Sequence, residues 1–325
     1  MKALVYGGGN IGRGFLGQLL YESGYETVFV DVNKSMVEKL NADGCYPIKI
    51  VSNEKQEEII IKNVRAVYPD NAPDEIVTAD IIFTSAGVNV LPYIAPVLKE
   101  GLDKRDSGVD VIICENLMNA DSYLEKLVGT TNKNVGFVEA SVGRMVPVMT
   151  DDMREGNINK VWVEPFRRLP VDEEAFKNPV PEIKNVVPSK PFAYHIQSKL
   201  YLHNMGHAIA AYMGMNKGYS YIWEAMDDQQ IADTVKDAMY ASATALALEH
   251  SKDKADVIAY ADNLMQRFKN KYLGDTTVRV GRDAKRKLAA EDRFLGALAL
   301  CQKHNIKADA IKTGIMAALD YLYEK

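Results

Sequence analysis

With 325 residues, 47% of them apolar and 26% charged, the chain has the composition of a globular protein and the length for two cores. Its 39 basic and 44 acidic side chains leave a net charge of −5, which gives no reason to expect nucleic acid or an anionic membrane as a partner. No apolar run approaches the roughly 20 residues that span a bilayer, no signal-peptide pattern follows Met1, and Cys45, Cys114 and Cys301 are too scattered for a disulfide framework or thiolate metal site. The expectation is a cytoplasmic protein.

The first third alternates short apolar runs with helical patterns. Residues 3–6, 27–30, 81–84 and 109–113 read as buried strands, too short and too continuous for amphipathic helices. Between them, residues 12–22 and 34–40 carry helical spacing. That alternation implies a mostly parallel sheet with helices on both faces. Six of the twelve prolines, Pro165, Pro170, Pro179, Pro181, Pro188 and Pro191, then crowd one stretch, and none follows Pro191. Proline lacks the N–H that helices and inner strands need, so the stretch reads as an irregular or edge-strand connection. Beyond it, Ile231, Val235, Met239 and Leu246 repeat at helical spacing, as do Leu295, Leu298 and Ala299. Two domains follow, 1–188 and 189–325, the second all-α.

Gly7-Gly8-Gly9-Asn10-Ile11-Gly12 fits GxGxxG directly after the first strand and at the start of a helix. In that pattern Gly7 permits the turn, Gly9 lets the backbone approach a pyrophosphate, and Gly12 lets helix and strand pack closely. Asn10 and Ile11 open the helix, whose unpaired N–H groups favour phosphate. The second strand ends in Asp31, nineteen residues after Gly12, where an acid can accept hydrogen bonds from an adenosine ribose. These are the marks of a Rossmann domain, doubly wound. Asp31 would repel a 2'-phosphate and no arginine follows at once, so NAD is expected over NADP. The turn Ser85-Ala86-Gly87 after the strand at 81–84 lies where the nicotinamide end of such a cofactor passes, which adds Ser85 and Gly87 to the cofactor-binding candidates.

The stretch from Lys199 to His207 carries the other half of the chemistry. On an α-helix, at about 100° per residue, Lys199, His203, His207 and Asn204 fall at roughly 0°, 40°, 80° and 140° of one arc. Tyr201, Leu202, Met205, Ala208 and Ile209 fill the opposite side. An amine, imidazoles and a carboxamide on one face can take a proton from an alcohol and steady the oxyanion left behind. The fourth strand of the set runs into Cys114-Glu115-Asn116, and ligands gather beyond the carboxyl ends of such strands. Asn116 paired with Asn204 across a domain cleft would make a two-donor oxyanion hole. His203 and His207 also stand at the i, i+4 spacing that binds zinc; with Lys199 beside them and no third ligand evident, no metal is expected, and His203 reads as a supporting or packing residue.

Four separated motifs then coincide: Gly-Asn-Ile-Gly-Arg-Gly at 9–14, the Cys-Glu-Asn turn, Lys199 with Asn204 at plus five and His207 at plus eight, and Arg279-Val280-Gly281-Arg282-Asp283 continuing to Arg286-Lys287-Leu288 and Asp292-Arg293. In this set and order the chain resembles the polyol-specific long-chain dehydrogenases over nearly its whole length. The resemblance implies a metal-independent, NAD-dependent secondary-alcohol dehydrogenase. Lys199 would be general base and acid, Asn116 and Asn204 would hold the substrate oxygen, and His207 would orient substrate. The implied partner is a sugar alcohol or sugar phosphate, with mannitol 1-phosphate and fructose 6-phosphate as the expected pair. Arg279, Arg282, Arg286 and Lys287 are the candidates to hold a phosphate, since arginine offers paired N–H donors and lysine a point charge. A hexuronate and its aldonate are the alternative pair within the family.

Departures from the family pattern are Gly143 in Gly143-Arg144-Met145-Val146-Pro147, where an aspartate is usual, and Asn270-Lys271, where Asn-Pro is usual. They bear on which polyol is recognised more than on hydride transfer. Two further readings stand beside this one. The 3-hydroxyacid and 6-phosphogluconate dehydrogenases also join a Rossmann domain to a helical one through a lysine and an asparagine, at a step shorter than plus five. A catalytically silent NAD(H)-binding sensor is the other. Oligomeric state is not legible.

Overall fold

The structure is a computed structural model and describes residues 1–323. It divides into two compact units, the first made of residues 1–51 and 55–192, the second of residues 52–54 and those from Ala193 on.

The first unit is built on six parallel strands, β1 (Lys2–Tyr6), β2 (Glu26–Val30), β5 (Val64–Val67), β6 (Ile81–Thr84), β7 (Val109–Ile113) and β8 (Val135–Glu139), in the spatial order β5-β2-β1-β6-β7-β8. Counted along the chain within this sheet, that is the order 3-2-1-4-5-6 of dinucleotide-binding folds. The register decides which face each side chain takes. Leu4, Tyr6, Val28, Val30, Ile82, Val109, Val111 and Ile113 pack on one side, while Ala3, Val5, Phe29, Phe83 and Ile112 pack on the other. Both faces are therefore buried, which explains why these strands read as continuous apolar runs rather than alternating ones. Each fully buried Val, Leu or Phe contributes roughly 1.5–3 kcal/mol, so polar chemistry is confined to the strand ends.

The four strands expected from the sequence are β1, β2, β6 and β7. An antiparallel hairpin, β3 (Cys45–Val51) and β4 (Gln56–Lys62), is inserted within the second crossover, between β2 and β5, and β9 (Val161–Val163) joins it in parallel as a three-stranded sheet. The proline-rich stretch contains β10 (Leu169–Asp172) and β11 (Val186–Ser189), which pair as a two-stranded sheet, with a single antiparallel bridge from Val171 to Ala140. Pro170 and Pro188 sit inside these two strands, a position that proline tolerates only away from a central ladder.

The second unit is helical. The 21-residue helix Gln229–Glu249 packs against Met205–Asn216, Lys254–Phe268 and Asp309–Tyr323. Leu202, Met205, Ile209, Tyr212, Met239, Leu246, Phe268 and Phe294 are buried there. Among the described residues no helix is long and apolar enough to cross a membrane, and no three His, Cys, Asp or Glu side chains gather as a metal site. All three cysteines are thiols.

Candidate functional site

At the carboxyl ends of β1, β2 and β6 the glycine pattern is tightly sterically determined. Gly7 has φ +92°, and a Cβ there would lie 2.6 Å from the Ser85 carbonyl oxygen. A Cβ on Gly12 would meet the Gly7 carbonyl oxygen at 1.9 Å, so only glycine lets helix and strand approach this closely. Gly9 is different, since a Cβ there would meet nothing within 4 Å. Its backbone faces open space, as an approaching pyrophosphate requires. Asn10 donates its carboxamide to the Pro147 carbonyl at 3.2 Å, and Ile11 is partly buried against the core.

Asp31 accepts the Gly8 N–H on one oxygen at 2.8 Å and the Asn33 N–H on the other at 2.9 Å. It therefore ties the end of β2 to the glycine turn. Ser85 does the same for β6, its hydroxyl donating to the Gly7 carbonyl at 3.0 Å. Gly87, at φ +100°, follows. Its N–H and that of Ala86 both donate to the carboxylate of Glu115, at 3.0 and 2.9 Å. Burial pushes the Glu115 carboxyl above the usual range, against the pull of those N–H donors. Asn116, the next residue, is exposed at the carboxyl end of β7. A cavity of about 520 Å³ opens between Gly8, Gly9, Asp31, Asn33 and Arg154.

Two residues at this end lay outside the expectations. Arg13, inside the glycine motif, is 5% exposed and donates to Asn159 Oδ1 at 2.7 Å and to the Ile158 carbonyl at 3.2 Å; burial lowers its pKa to about 10. Glu115 has no role in the sequence reading, and its one signal there is an acid placed just beyond a continuous apolar strand. Gly143 and Arg144 are buried, and the Arg144 guanidinium donates to the carbonyls of Gly14 and Glu164 and to Gln18 Oε1. Arg144 is thus a structural tie of the first unit.

In the second unit the stretch from Lys199 departs from the α-helix expected. Lys199–Asn204 is a π-helix, continued from the α-helix Ala193–Ser198 and continuing into Met205–Asn216, and the Met205 N–H donates to the Leu200 carbonyl five residues back. Bonding to the fifth residue gives about 4.4 residues per turn, or roughly 82° per residue, so Lys199 and Asn204 stand about 50° apart rather than 140°. His207 then falls within roughly 10° of Lys199, after three further α-helical steps. The expected face is present but narrower, and His203, at about −30°, still lies on its arc.

His203 is 6% exposed, with its ring among those of His207 and Phe268 and no hydrogen-bond partner for Nδ1. Burial, then the charges of Arg267, His207, Lys199 and Arg293, hold its pKa well below the ordinary value. It is a neutral core histidine. His207 is stacked on Phe268 with centroids 4.8 Å apart, and its Nε2 lies 3.1 Å from Asp275 Oδ2. Asp275 also receives the Arg279 guanidinium. Asp275 had no place among the expected residues; its position four residues before Arg279, an i, i+4 acid–base pair, is the signal that could have found it.

The basic segment separates into unequal parts. Arg279 is ion-paired with Asp275, and the exposed Arg286 is held by Asp283 at 2.5 Å and Asp292 at 3.0 Å. Their charges are largely matched within the segment. Arg282 is exposed. Lys287 is 6% exposed, and burial with the charges of Arg293 and Arg286 lowers its pKa to about 8.

The model of the mannitol dehydrogenase Rossmann domain matches residues 1–185, and that of the mannitol dehydrogenase C-terminal domain matches residues 192–325. A mannitol-1-phosphate 5-dehydrogenase of Buchnera aphidicola subsp. Schizaphis graminum is 35% identical, over 99% of this chain and 87% of its own length. One of Oceanobacillus iheyensis is 36% identical, over 91% and 80%. Among solved structures, a substrate-free D-sorbitol dehydrogenase superposes with a TM-score of 0.82 at 16% identity, over 98% of this chain and 80% of that one. The Pseudomonas fluorescens mannitol 2-dehydrogenase ternary complex with NAD and D-mannitol gives 0.74 at 15% identity, over 99% and 79%. At those identities the structures speak for the fold, and the sequence matches across both units carry the kinship: the chain belongs to the mannitol dehydrogenase family.

Proposed function

We propose that the chain is an NAD-dependent, metal-independent dehydrogenase that interconverts mannitol 1-phosphate and fructose 6-phosphate. The observation that carries this is the near full-length identity to mannitol-1-phosphate 5-dehydrogenases, together with Lys199, Asn204 and His207 on one narrow face of a helix. The glycine turn, the open side of Gly9 and the placement of Asp31 fit a dinucleotide. NAD, when bound, supplies the hydride acceptor.

In the oxidative direction Lys199, as the free amine, takes the proton of the substrate hydroxyl, while the carbinol carbon gives up its hydride. Asn116 and Asn204 donate hydrogen bonds to the oxygen as it becomes a carbonyl, and to the oxyanion in reverse. His207 orients a neighbouring hydroxyl. Glu115 acts indirectly, holding the backbone of Ala86 and Gly87. The phosphate is assigned to the segment Arg279, Arg282, Arg286 and Lys287. Within it Lys287 is favoured, because its ammonium has no hydrogen-bonded or ion-paired partner among the described residues, while Arg279 and Arg286 are paired.

The test is the initial rate of NADH oxidation with fructose 6-phosphate, fructose and fructuronate side by side, for the wild type and Lys287→Met. A rate with fructose 6-phosphate that far exceeds the others, and a raised KM in the variant, is expected. A preference for fructuronate or for unphosphorylated fructose would overturn the substrate assignment.

A further inference from the structure

His207 is held on two sides. Its ring lies flat on Phe268, 7° from parallel, and its Nε2 faces Asp275 Oδ2 at 3.1 Å. Asp275 is itself immobilised. It is 8% exposed, its other carboxylate oxygen receives the Arg279 guanidinium, and its backbone carbonyl accepts the Ile222 N–H at 2.9 Å. The neighbouring pair Tyr221 and Thr276 forms an isolated antiparallel bridge that fixes the same backbone.

An ionised carboxylate can only accept hydrogen bonds. The proton between the two groups therefore belongs to His207 Nε2, and in the neutral imidazole Nδ1 keeps a lone pair. Stacked on Phe268 and bonded at Nε2, the ring is not free to exchange the two nitrogens. We propose that Asp275 is a positioning residue that holds His207 in the Nε2–H tautomer, so that Nδ1 accepts a hydrogen bond from a hydroxyl of the polyol substrate. This rests on the assignment of His207 to substrate orientation. It gives that assignment a direction. At the substrate atom that His207 faces, a hydroxyl has a hydrogen to give, whereas a carbonyl or carboxylate oxygen has none. The pair thus selects for an alcohol at that atom and against an acid.

The tautomer is read directly from ¹⁵N spectra of histidine-labelled protein, with His207→Ala assigning the resonances. Protonated Nε2 and bare Nδ1 are expected; the reverse would overturn the proposal. Kinetically, Asp275→Ala should raise KM for polyol at least about tenfold, the loss of one well-oriented hydrogen bond, with the NADH dissociation constant unchanged. In a His207→Ala background the same change should raise KM no further than about twofold, because coupled residues are not additive. An equal effect in both backgrounds would make Asp275 a purely structural residue and overturn the proposal. If His207→Ala alone leaves KM unchanged, the role of His207 fails and the proposal with it. If His207→Ala impairs binding while Asp275→Ala does not, only the role of Asp275 fails. Should Asp275→Ala not fold, the isosteric Asp275→Asn and the wild-type spectrum decide.

Discussion

Lys199, proposed to move the proton, can be removed without disturbing the cofactor turn, because it and the glycine loop belong to different units. Lys199→Ala is accordingly expected to lower kcat by about 10²- to 10⁴-fold, the usual worth of a general acid–base. NADH affinity, followed by fluorescence titration, should stay within twofold, and a parallel loss of both would overturn the assignment. Asp31 offers the converse case. Its carboxylate meets the Gly8 N–H and faces the cavity beside Gly9, so Asp31→Ser should weaken NADH binding and narrow the preference over NADPH, measured as the ratio of kcat/KM for the two. His203 acts on stability. The folded protein keeps it neutral while the unfolded chain protonates it below about pH 6.5, so stability is complete above that pH and falls as the solution becomes more acid. The slope is about 1.4 kcal/mol per pH unit for this one site. His203→Leu should remove that part of the slope in urea unfolding at pH 7, 6 and 5, and an unchanged slope would show the histidine to be titrating in the folded state.

At the scale of the element, the π-turn decides how spacing becomes proximity. An asparagine five residues after a lysine points away from it on an α-helix and toward it here. Inserting one alanine between Leu200 and Tyr201 should turn Lys199 about 100° further from Asn204 and lower kcat at least a hundredfold with folding retained by circular dichroism. Retained turnover would mean that the alignment of the pair is not needed. This is also where sequence and structure part. Periodicity located the helix and its buried residues Leu202, Met205, Ala208 and Ile209 correctly. It could not register that the turn is π-bonded, because side-chain pattern is nearly the same for one wide turn within a long helix. His203, read as a supporting or packing residue, is a packing one, because Phe268, from a helix more than sixty residues on, closes over it. Asp275 was hidden for the same reason, its partner His207 being distant in sequence. The strands β1, β2, β6 and β7 were legible because burial on both faces makes them continuous apolar runs. The β3–β4 hairpin was not, since Lys49, Lys62 and the run Gln56–Glu58 break its pattern with solvent-facing charge.

For the whole molecule, a ligand that binds only the folded protein must stabilise it. Saturation with NADH at 100 times its dissociation constant should add about 2.7 kcal/mol, seen as a rise in Tm that grows with the logarithm of concentration. Asp31→Ser should reduce the rise at a fixed NADH concentration, and no rise in the wild type would remove the cofactor. Among the described residues each unit carries one π-turn, at Gly12–Leu16 after the glycine loop and at Lys199–Asn204. In genetic terms each such turn is a single codon. Losing that codon between Lys199 and Asn204 would restore an α-helix with a step of four, which leaves the pair only about 40° apart, whereas gaining another would split it. Drift in length at this point can therefore run toward deletion but not insertion. Relatives that lack the codon are expected to align with a gap of one column between the lysine and the asparagine.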